Sequence, residues 1–379
     1  MDFALTADQE KIRDTAESFL RDASGSAAVR AAMDTEAGYD PQLWKHLAQE
    51  LGWCATHIPE KYGGLELGWV EIALLMEQMG RRLLCAPFFA TVCLAATALI
   101  EAASEPARIR YLPEIAAGRI VATIALAESG IDWRPDAVGA TARRISDGYL
   151  LDGCFRLVPD AAQASLMLAP AALDGGALGL FAIPAGCAGM SRIPLKTIDA
   201  TRRLAEVRLA AVRLAPDALI AEGARVTEGL ARTAALAAIA LGAGQLGGAQ
   251  QCLDMTLAYI SERVQFGRQI ASFQAVKHRC ALMMVQIEAA RSAVYGAACV
   301  AASAPPTDAL VMESACAKTL ASEAFFFCAQ EAIQLHGGVG FTWEYDPHLY
   351  FKRAQSSGAW LGAPDALRER VAASMLDLA

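Results

Sequence analysis

The strongest constraint on the fold is a helical pattern that returns after Pro216 and holds nearly to the end of the chain. Apolar residues recur with a helical period over residues 224–262, 274–302 and 307–335, which predicts three long helices. Alanine and glycine are dense in these segments. Because small side chains let helix axes approach closely, we expect the three helices to pack as a bundle.

The pattern changes in the middle of the chain. Residues before 120 read as helices, but residues 121–220 contain short apolar runs such as VATIALA and LGLFAIP between Gly, Pro and Asp turns. This alternation predicts a small β-domain of barrel or sandwich type, with a pair of strands at residues 204–214. The chain is therefore predicted to be α+β, with a helical domain at 1–120, a β-domain at 121–222 and a helical bundle at 223–379.

Composition restricts the class of partner. The net charge is −8 and no stripe of Lys or Arg collects on a periodic face, so no nucleic-acid partner is expected. Hydrophobic residues make up 55% of the chain and charged residues 20%, which favours contacts between subunits. Residues 234–249 form the longest apolar stretch, but Gln245 among Ala and Gly favours a packed helix over a membrane span. With acidic residues and no apolar core at its N-terminus, the protein is expected to be cytoplasmic.

The metal-binding residue types are scattered along the chain. Ten cysteines include no C-x-x-C pair, and most lie in apolar runs. This distribution predicts buried, reduced thiols and no disulfide framework. The five histidines are equally scattered, so no metal site is expected.

Two segments carry residues suited to binding a nucleotide. The first, RVQFGRQIASFQAVKH at 263–278, separates the first two long helices. Arg263 can hold a pyrophosphate through parallel hydrogen bonds, and Phe266 can cover a flat ring. Gln274 opens the next helix, whose N-terminus favours negative charge. The residues by themselves favour the alternative, a helix–turn–helix with a solvated cationic face.

The second segment, QLHGGVGF at 334–341, follows the third long helix. A glycine pair directly after a helix is first of all a C-cap. The same pair also lets a phosphate approach the backbone without meeting a Cβ atom. A lone GGxG pattern is weak, and by itself it favours the cap.

Together and in this order, the two segments resemble the C-terminal signatures of the acyl-CoA dehydrogenase family. The second signature reads QLHGGVGFTWEYDPHLYFKRA here, and PEKYGG at 59–64 is similar to an N-terminal loop of that family. The resemblance spans essentially the whole chain. It implies an N-terminal helical domain, a middle β-barrel or sandwich and a C-terminal four-helix bundle.

The resemblance also implies a reaction. FAD takes a hydride from Cβ of an acyl-CoA thioester while a glutamate removes the α-proton, and an electron-transfer flavoprotein accepts the electrons. The flavin ring lies between the β-domain and the bundle, and the neighbouring subunit of a dimer grips the pyrophosphate and adenine. The residues that match this half of the site, which the neighbouring subunit contributes, are Arg263, Gln265, Phe266, Gln274, Gln334, Gly337 and Gly338.

The chain departs from the family at the catalytic base. Relatives place a glutamate in a Tyr-Glu-Gly-Thr-like tetrad after the last signature, but here Leu361 stands at the acid and Ala363 at the threonine. Another branch places the base on the preceding bundle helix, at the position of Ala237. No acid occurs anywhere between residues 230 and 252. Without a positioned carboxylate, removal of the weakly acidic α-proton is impractical.

The β-domain departs as well. The loop that hydrogen-bonds flavin in relatives reads AESGIDW at 127–133 here, and the strand that packs on flavin reads LVP at 157–159. Pro159 removes a backbone donor. The β-domain of this chain therefore departs from the flavin contacts that the resemblance implies. The residues that match the half of the site contributed by the neighbouring subunit are intact.

Three hypotheses follow. The first is a base-lacking subunit of a heteromeric enzyme whose paralogous subunit supplies the glutamate; the stretch FTWEYDPHLYFKRA is most similar to the bacterial branch in which such pairs occur. The second is a self-sufficient homo-oligomer with a relocated base, for which the candidates are Glu128, Glu228, Glu331 and Glu344. The third is a flavin-free binding or scaffold protein that keeps the fold.

Overall fold

Helices, a sheet and a second set of helices follow one another along the chain, as predicted. The structure is a computed structural model that describes residues 4–126 and 137–376. The helices are α1 (Ala7–Ala23), α2 (Ser26–Asp34), α3 (Pro41–Gln49), α4 (Trp69–Arg81), α5 (Thr97–Ala102), α6 (Glu105–Ala116), α7 (Ala224–Glu262), α8 (Gln274–Ala302), α9 (Thr307–His336), α10 (Pro347–Gly358) and α11 (Pro364–Met375). The strands are β1 (Ala122–Ile124), β2 (Ala140–Ile145), β3 (Gly148–Pro159), β4 (Leu166–Leu173), β5 (Leu178–Pro184), β6 (Met190–Pro194), β7 (Leu204–Leu214), β8 (Leu219–Glu222), β9 (Val264–Gln265) and β10 (Arg268–Gln269).

The three long helices α7, α8 and α9 form the predicted bundle, and α10 and α11 pack on α9. α7 lies at its centre, against α4 of the N-terminal region as well as α8 and α9. Two glycines set the distance between α4 and α7. A Cβ atom at Gly80 would lie 1.9 Å from the carbonyl oxygen of Gly244, and one at Gly247 would lie 1.8 Å from that of Glu77. The two backbones therefore touch, and no other residue fits at either glycine.

The β-domain is one mixed sheet in the order β6-β7-β3-β2-β4-β5-β8, with β1 paired to β4. Its strands β4 and β5 are buried on both faces. Along β4, Leu166 and Leu168 join the main core shared with the helices, while Met167 and Ala169 face a second core enclosed by the sheet itself. This double burial explains why the run LMLAPAAL lacks the polar alternation of a half-exposed strand.

The prediction of two strands at residues 204–214 was wrong. These residues form the single strand β7, which pairs with β3 on one side and β6 on the other. The register with β3 shifts near Ala211, which has φ of 52° and donates its backbone N–H to the Asp152 carboxylate at 2.7 Å. The break in the alternation is thus a bulge, where one extra residue is accommodated without a turn.

The longest apolar helix is buried as predicted. α7 is long and apolar enough to cross a membrane, yet 72% of its most apolar window lies inside the protein. The ten cysteines are free thiols, of which Cys316 is exposed and six are buried.

A buried ion pair joins the β-domain to the C-terminal helices. Asp199, in the connection from β6 to β7, pairs with Arg353 of α10 at 3.0 Å, and both side chains are almost fully buried. Arg353 also donates to the side chain and carbonyl oxygen of Thr201 at 2.8 and 3.1 Å. Ser356 and Thr201 donate further hydrogen bonds to the Asp199 carboxylate. Buried ions persist where they are both paired and hydrogen-bonded. Asp199 and Arg353 meet both conditions.

A buried lysine joins α9 to the end of α10. Lys318 is fully buried and donates to the Ser322 hydroxyl at 2.7 Å and to the Gly358 carbonyl at 3.1 Å. Ser322 continues the network to Gln245 of α7, whose amide reaches Ser357. Burial, with a smaller contribution from the nearby Arg202, lowers the pKa of Lys318 to about 7.

We expect Arg353→Met to lower the free energy of unfolding by about 3–5 kcal/mol, because it leaves the Asp199 carboxylate buried without its cation. Denaturant unfolding of the wild type and the variant measures this change. Arg353→Met combined with Asp199→Asn is expected to recover part of the loss. A double variant as unstable as the sum of the two single variants would contradict the pairing.

Lys318→Met is expected to change how stability depends on pH. Between the lowered pKa of the folded state and the ordinary value near 10.5, only the unfolded chain holds this proton, so the lysine makes stability rise with pH. The stability of the wild type relative to Lys318→Met should therefore increase by about 2 kcal/mol from pH 7 to pH 9. Denaturant unfolding at both pH values tests this, and a difference independent of pH would contradict it.

Candidate functional site

The first predicted segment folds as a tight hairpin at the end of the bundle. β9 and β10 pair with Gln265 opposite Arg268, and Phe266 and Gly267 form the two-residue loop. Their φ angles are 55° and 77°, which is the left-handed pair that a two-residue hairpin turn of this hand requires. Glycine meets this demand without strain, but phenylalanine does not.

The hairpin presents its phenylalanine to solvent. Phe266 is 92% exposed, and its ring meets that of Phe273 edge-on at 6.2 Å between centroids. Arg268 covers Phe273 from the other direction at 4.0 Å. A strained backbone that holds an apolar ring in solvent is unfavourable for the fold, and such features cluster at functional sites.

The other residues of the first segment are also exposed. Arg263 ends α7, and its guanidinium forms no ion pair or hydrogen bond with any described residue. Gln265 donates to the neighbouring Val264 carbonyl at 2.8 Å. Gln274 is the first residue of α8, so the free N–H groups of that helix start beside it.

The second segment is the predicted helix cap. Gly337 ends α9 with φ of 66° and ψ of −145°, a conformation almost restricted to glycine, and its N–H bonds back to Gln334 and Ile333. A Cβ atom would meet nothing within 4 Å at either glycine, but Gly338 differs from Gly337 because its φ is not positive. Nothing in the described chain requires glycine at Gly338. Gln334 is exposed beside this turn.

The two segments meet at one end of the bundle. α7 and α9 end there and α8 begins there, because the three helices run alternately up and down. The ring of Tyr259 in α7 stacks on His336 of α9 at 4.4 Å, so Arg263 and Gly337 each follow closely on one of the two stacked residues. We call this set of exposed residues the outer face: Arg263, Gln265, Phe266, Gln274, Gln334, Gly337 and Gly338.

The place where the resemblance puts the flavin ring and the acyl group, between sheet and bundle, is nearly filled. Its remaining cavity has a volume of about 30 Å³. Trp360 and Phe89 lie 6.1 Å apart in its wall, and Arg202 packs against both rings at 5.3 Å. A cavity of this size holds about two water molecules, whereas small-molecule sites span about 300–1,000 Å³.

The former acid position does not face this cavity. Leu361 has φ of 57° and packs on the main core, while the neighbouring Trp360 lines the cavity. Ala237, at the alternative position for a base, is fully buried in α7. Both positions are therefore occupied by packed apolar side chains.

The strand that packs on flavin in relatives is distorted here. Leu157 and Asp160 both have φ slightly above 50°, on either side of Pro159, and the register of β3 with β7 shifts between Phe155 and Val158. Each such residue costs about 1–3 kcal/mol, so tertiary contacts impose this shape. The loop at residues 127–133 lies outside the described residues.

The candidate acids named from the sequence do not reach the cavity. Glu228 accepts from Thr307 at the surface, Glu331 pairs with Arg279 at 2.8 Å, and Glu344 is exposed. Glu128 lies outside the described residues. The one carboxyl among the described residues that line the cavity is Asp160, which the sequence patterns did not indicate.

Asp160 and Arg202 give the cavity its polar character. Burial raises the pKa of the Asp160 carboxyl to about 7, against the opposing effect of Arg202, Arg353 and Arg203. Burial and the charge of Arg353 lower the pKa of the Arg202 guanidinium, which is basic enough to stay protonated. Among the described residues, no group of three or more His, Cys, Asp or Glu side chains has the arrangement of a metal site.

The groups of the outer face suit FAD, whereas those of the cavity between sheet and bundle do not. The cavity is too small for an isoalloxazine ring. Leu361 and Ala363 replace the acid and the threonine of the tetrad, and Pro159 has no backbone N–H to donate. The outer face does carry groups suited to a dinucleotide: an unpaired arginine, an exposed aromatic ring, a helix N-terminus and a glycine open to close approach.

Comparisons with known proteins agree with this architecture. Residues 6–119 match the N-terminal domain and residues 223–376 the C-terminal domain of the acyl-CoA dehydrogenase family. The chain is 36% identical to the acyl-CoA dehydrogenase IpdE2 of Mycobacterium tuberculosis over 96% of both chains, and 33% identical to IpdE2 of Mycolicibacterium smegmatis over 98% of this chain and all of that one.

Two solved structures share the whole fold. A variant of the Tcur3481–Tcur3483 steroid ACAD superposes with a TM-score of 0.86 at 30% identity, covering 98% of each chain. The ChsE4–ChsE5 complex from Mycobacterium tuberculosis gives 0.89 at 26% identity, covering 100% of this chain and 99% of that one. The chain belongs to the acyl-CoA dehydrogenase family, whose members are FAD-dependent oxidoreductases acting on CH–CH donors.

Proposed function

We propose that this chain is the base-lacking subunit of a heteromeric acyl-CoA dehydrogenase, and that it completes the FAD site of a paralogous subunit. The observation that carries the proposal is the contrast between its two regions. The cavity in its own cleft, about 30 Å³, is closed to a flavin ring. The outer face instead exposes groups suited to a nucleotide, and among them Arg263 and Gly338 have no other role in the described chain.

In this assembly, Arg263 would pair with the pyrophosphate of the partner's FAD and Phe266 would cover its ring system. Gln265, Gln274 and Gln334 would supply hydrogen bonds, and Gly337 and Gly338 would admit the nucleotide to the backbone of the turn. When bound there, FAD would supply the acceptor for a hydride from Cβ of an acyl-CoA thioester. The paralogous subunit supplies the carboxylate that removes the α-proton, because this chain has apolar side chains at both known positions.

The solved relatives support a two-component assembly. The ChsE4–ChsE5 structure is a complex, and the Tcur3481–Tcur3483 enzyme is a steroid ACAD named after two components. A steroid-derived acyl-CoA is therefore the first substrate class to test. An electron-transfer flavoprotein is the proposed electron acceptor, and the cytoplasm the proposed location.

Asp160 supports a second candidate function, a self-sufficient dehydrogenase with a relocated base. Its pKa near 7 would suit proton abstraction. The position of Asp160 does not suit proton abstraction, because Asp160 follows the strand on which flavin packs in relatives. A flavin ring on that strand would separate Asp160 from a thioester on the bundle side, where both known base positions lie.

We expect FAD to bind only in the assembled complex, with one flavin for each pair of unlike chains. The chain is produced with and without a paralogue that carries the tetrad glutamate, and flavin absorbance per chain is measured after purification. A colourless chain by itself and a half-loaded, active complex support the proposal. A fully loaded, active homo-oligomer would contradict it and favour the relocated base.

Arg263→Ala should weaken retention of FAD in the complex about 10- to 100-fold, because a buried pyrophosphate loses a charge-assisted partner worth about 1.5–3 kcal/mol. Titration of the FAD-free complex with FAD measures the change. Arg110→Ala is the matched control, since Arg110 forms an exposed ion pair with Asp217 at 2.9 Å on α6 and should leave affinity unchanged. Equal affinity in both variants would show that Arg263 does not contact the cofactor.

A further inference from the structure

The cavity between the sheet and the bundle is lined by Arg202, an arginine with an unused hydrogen-bond donor. Arg202 forms no hydrogen bond or ion pair with any described residue, and its Nη1 atom is buried without a partner. A guanidinium has five N–H groups, and burying such a cation without an acceptor costs several kcal/mol. Arg202 is partly exposed, but its buried Nη1 atom faces no acceptor among the described residues.

The aromatic rings around Arg202 do not supply this acceptor. Phe89 and Trp360 each lie 5.3 Å from its Cζ atom, at cation–π distance. Such contacts stabilise the charge over the ring faces, but the N–H donors need lone pairs. The two rings hold the guanidinium against the cavity and leave its buried Nη1 atom without an acceptor among the described residues.

The other charged groups at the cavity have partners of their own. Arg353 pairs with Asp199, and Arg203 donates to the carbonyls of Met33 and Thr35 at 2.7 and 2.6 Å. The nearby Lys318 is satisfied by Ser322 and Gly358. Arg202 is thus the one cation among the described residues of this cluster that lacks an acceptor.

Asp160 interacts with Arg202 only at a distance. The two side chains line the same cavity, yet they form no ion pair. Among the described residues of this cluster, the charges of Arg202, Arg203 and Arg353 exceed those of Asp160 and the already paired Asp199 by one positive charge. A protonated Asp160 carboxyl would add a second donor to the same space.

We propose that this cavity binds one small monovalent anion of at most about three heavy atoms, such as formate or a halide, held by Arg202 and Asp160. The volume of about 30 Å³ sets the size limit, since it corresponds to about two water molecules. The excess positive charge sets the sign. This inference does not depend on which subunit holds the flavin.

The first test is bromide diffraction on wild-type crystals of the protein as it purifies. Soaking in sodium bromide is expected to give an anomalous peak beside the Arg202 guanidinium, within the wall formed by Trp360 and Phe89. Density in the cavity without an anomalous signal would mean that water molecules bridge Arg202 and Asp160, and it would overturn the proposal.

The second test is stability in solution. Sodium formate is exchanged for sodium gluconate at constant total salt, because gluconate is monovalent but too large for the cavity. Once the site saturates, the unfolding equilibrium constant of the wild type should fall about tenfold for each tenfold rise in formate. Arg202→Met should abolish this dependence.

Two further variants serve as controls. Arg143→Met removes an exposed arginine from β2 with the same change in net charge, and it should keep the formate dependence. Asp160→Asn should keep or strengthen it, because the amide still donates and a negative charge is lost. Equal formate dependence in the wild type and Arg202→Met would overturn the proposal, whatever the flavin content of the preparation.

Discussion

The contact between α4 and α7 is the constraint on which the rest of the structure depends. At Gly80 and Gly247 the two helix backbones touch, and any Cβ atom would collide with a carbonyl of the other helix. This contact fixes α7 at the centre of the protein, with α8 and α9 packed on its other sides. The close packing of small residues in this core fixes where the helices end. It therefore also fixes the position of the outer face.

That core also explains why the two candidate regions differ so sharply. The hairpin and the glycine turn lie beyond the ends of the long helices, where the bundle cannot bury them. Their residues therefore stay exposed, Phe266 above all, and the proposed assembly is what would cover them. The cleft between sheet and bundle is inside the protein, and there Trp360, Phe89 and Arg202 have taken up the space.

Much of the fold could be predicted because its signals are local. The helical period located α7 and α8 at the bounds that the structure has and α9 within one residue, since the positions of apolar residues and caps are encoded within each helix. Strand β7 was mispredicted because its bulge at Ala211 depends on the Asp152 side chain of another strand. The outer-face residues were recognisable from their motifs, although their role remains a proposal.

The interior site could not be predicted, because nothing local marks Asp160 or Arg202. Asp160 follows a proline in an ordinary strand pattern, and Arg202 is the first of two adjacent arginines. Their significance arises only where the β6–β7 connection, the end of β3 and Trp360 meet. The same holds for Lys318, which looks like a solvated helix residue in the sequence and is fully buried in the fold.

In the proposed assembly, the absence of a base and the small volume of the cleft are physically connected. A dry pocket of about 300 Å³, left without its ligand, would destabilise the fold by about 7 kcal/mol at about 24 cal/mol per Å³. That is a large part of the stability of a typical domain. Once a subunit no longer binds the flavin ring itself, side chains that fill the space are strongly stabilising. Arg202 fills this space with a charged side chain. The cleft then has no large empty volume, but the Arg202 guanidinium needs an acceptor.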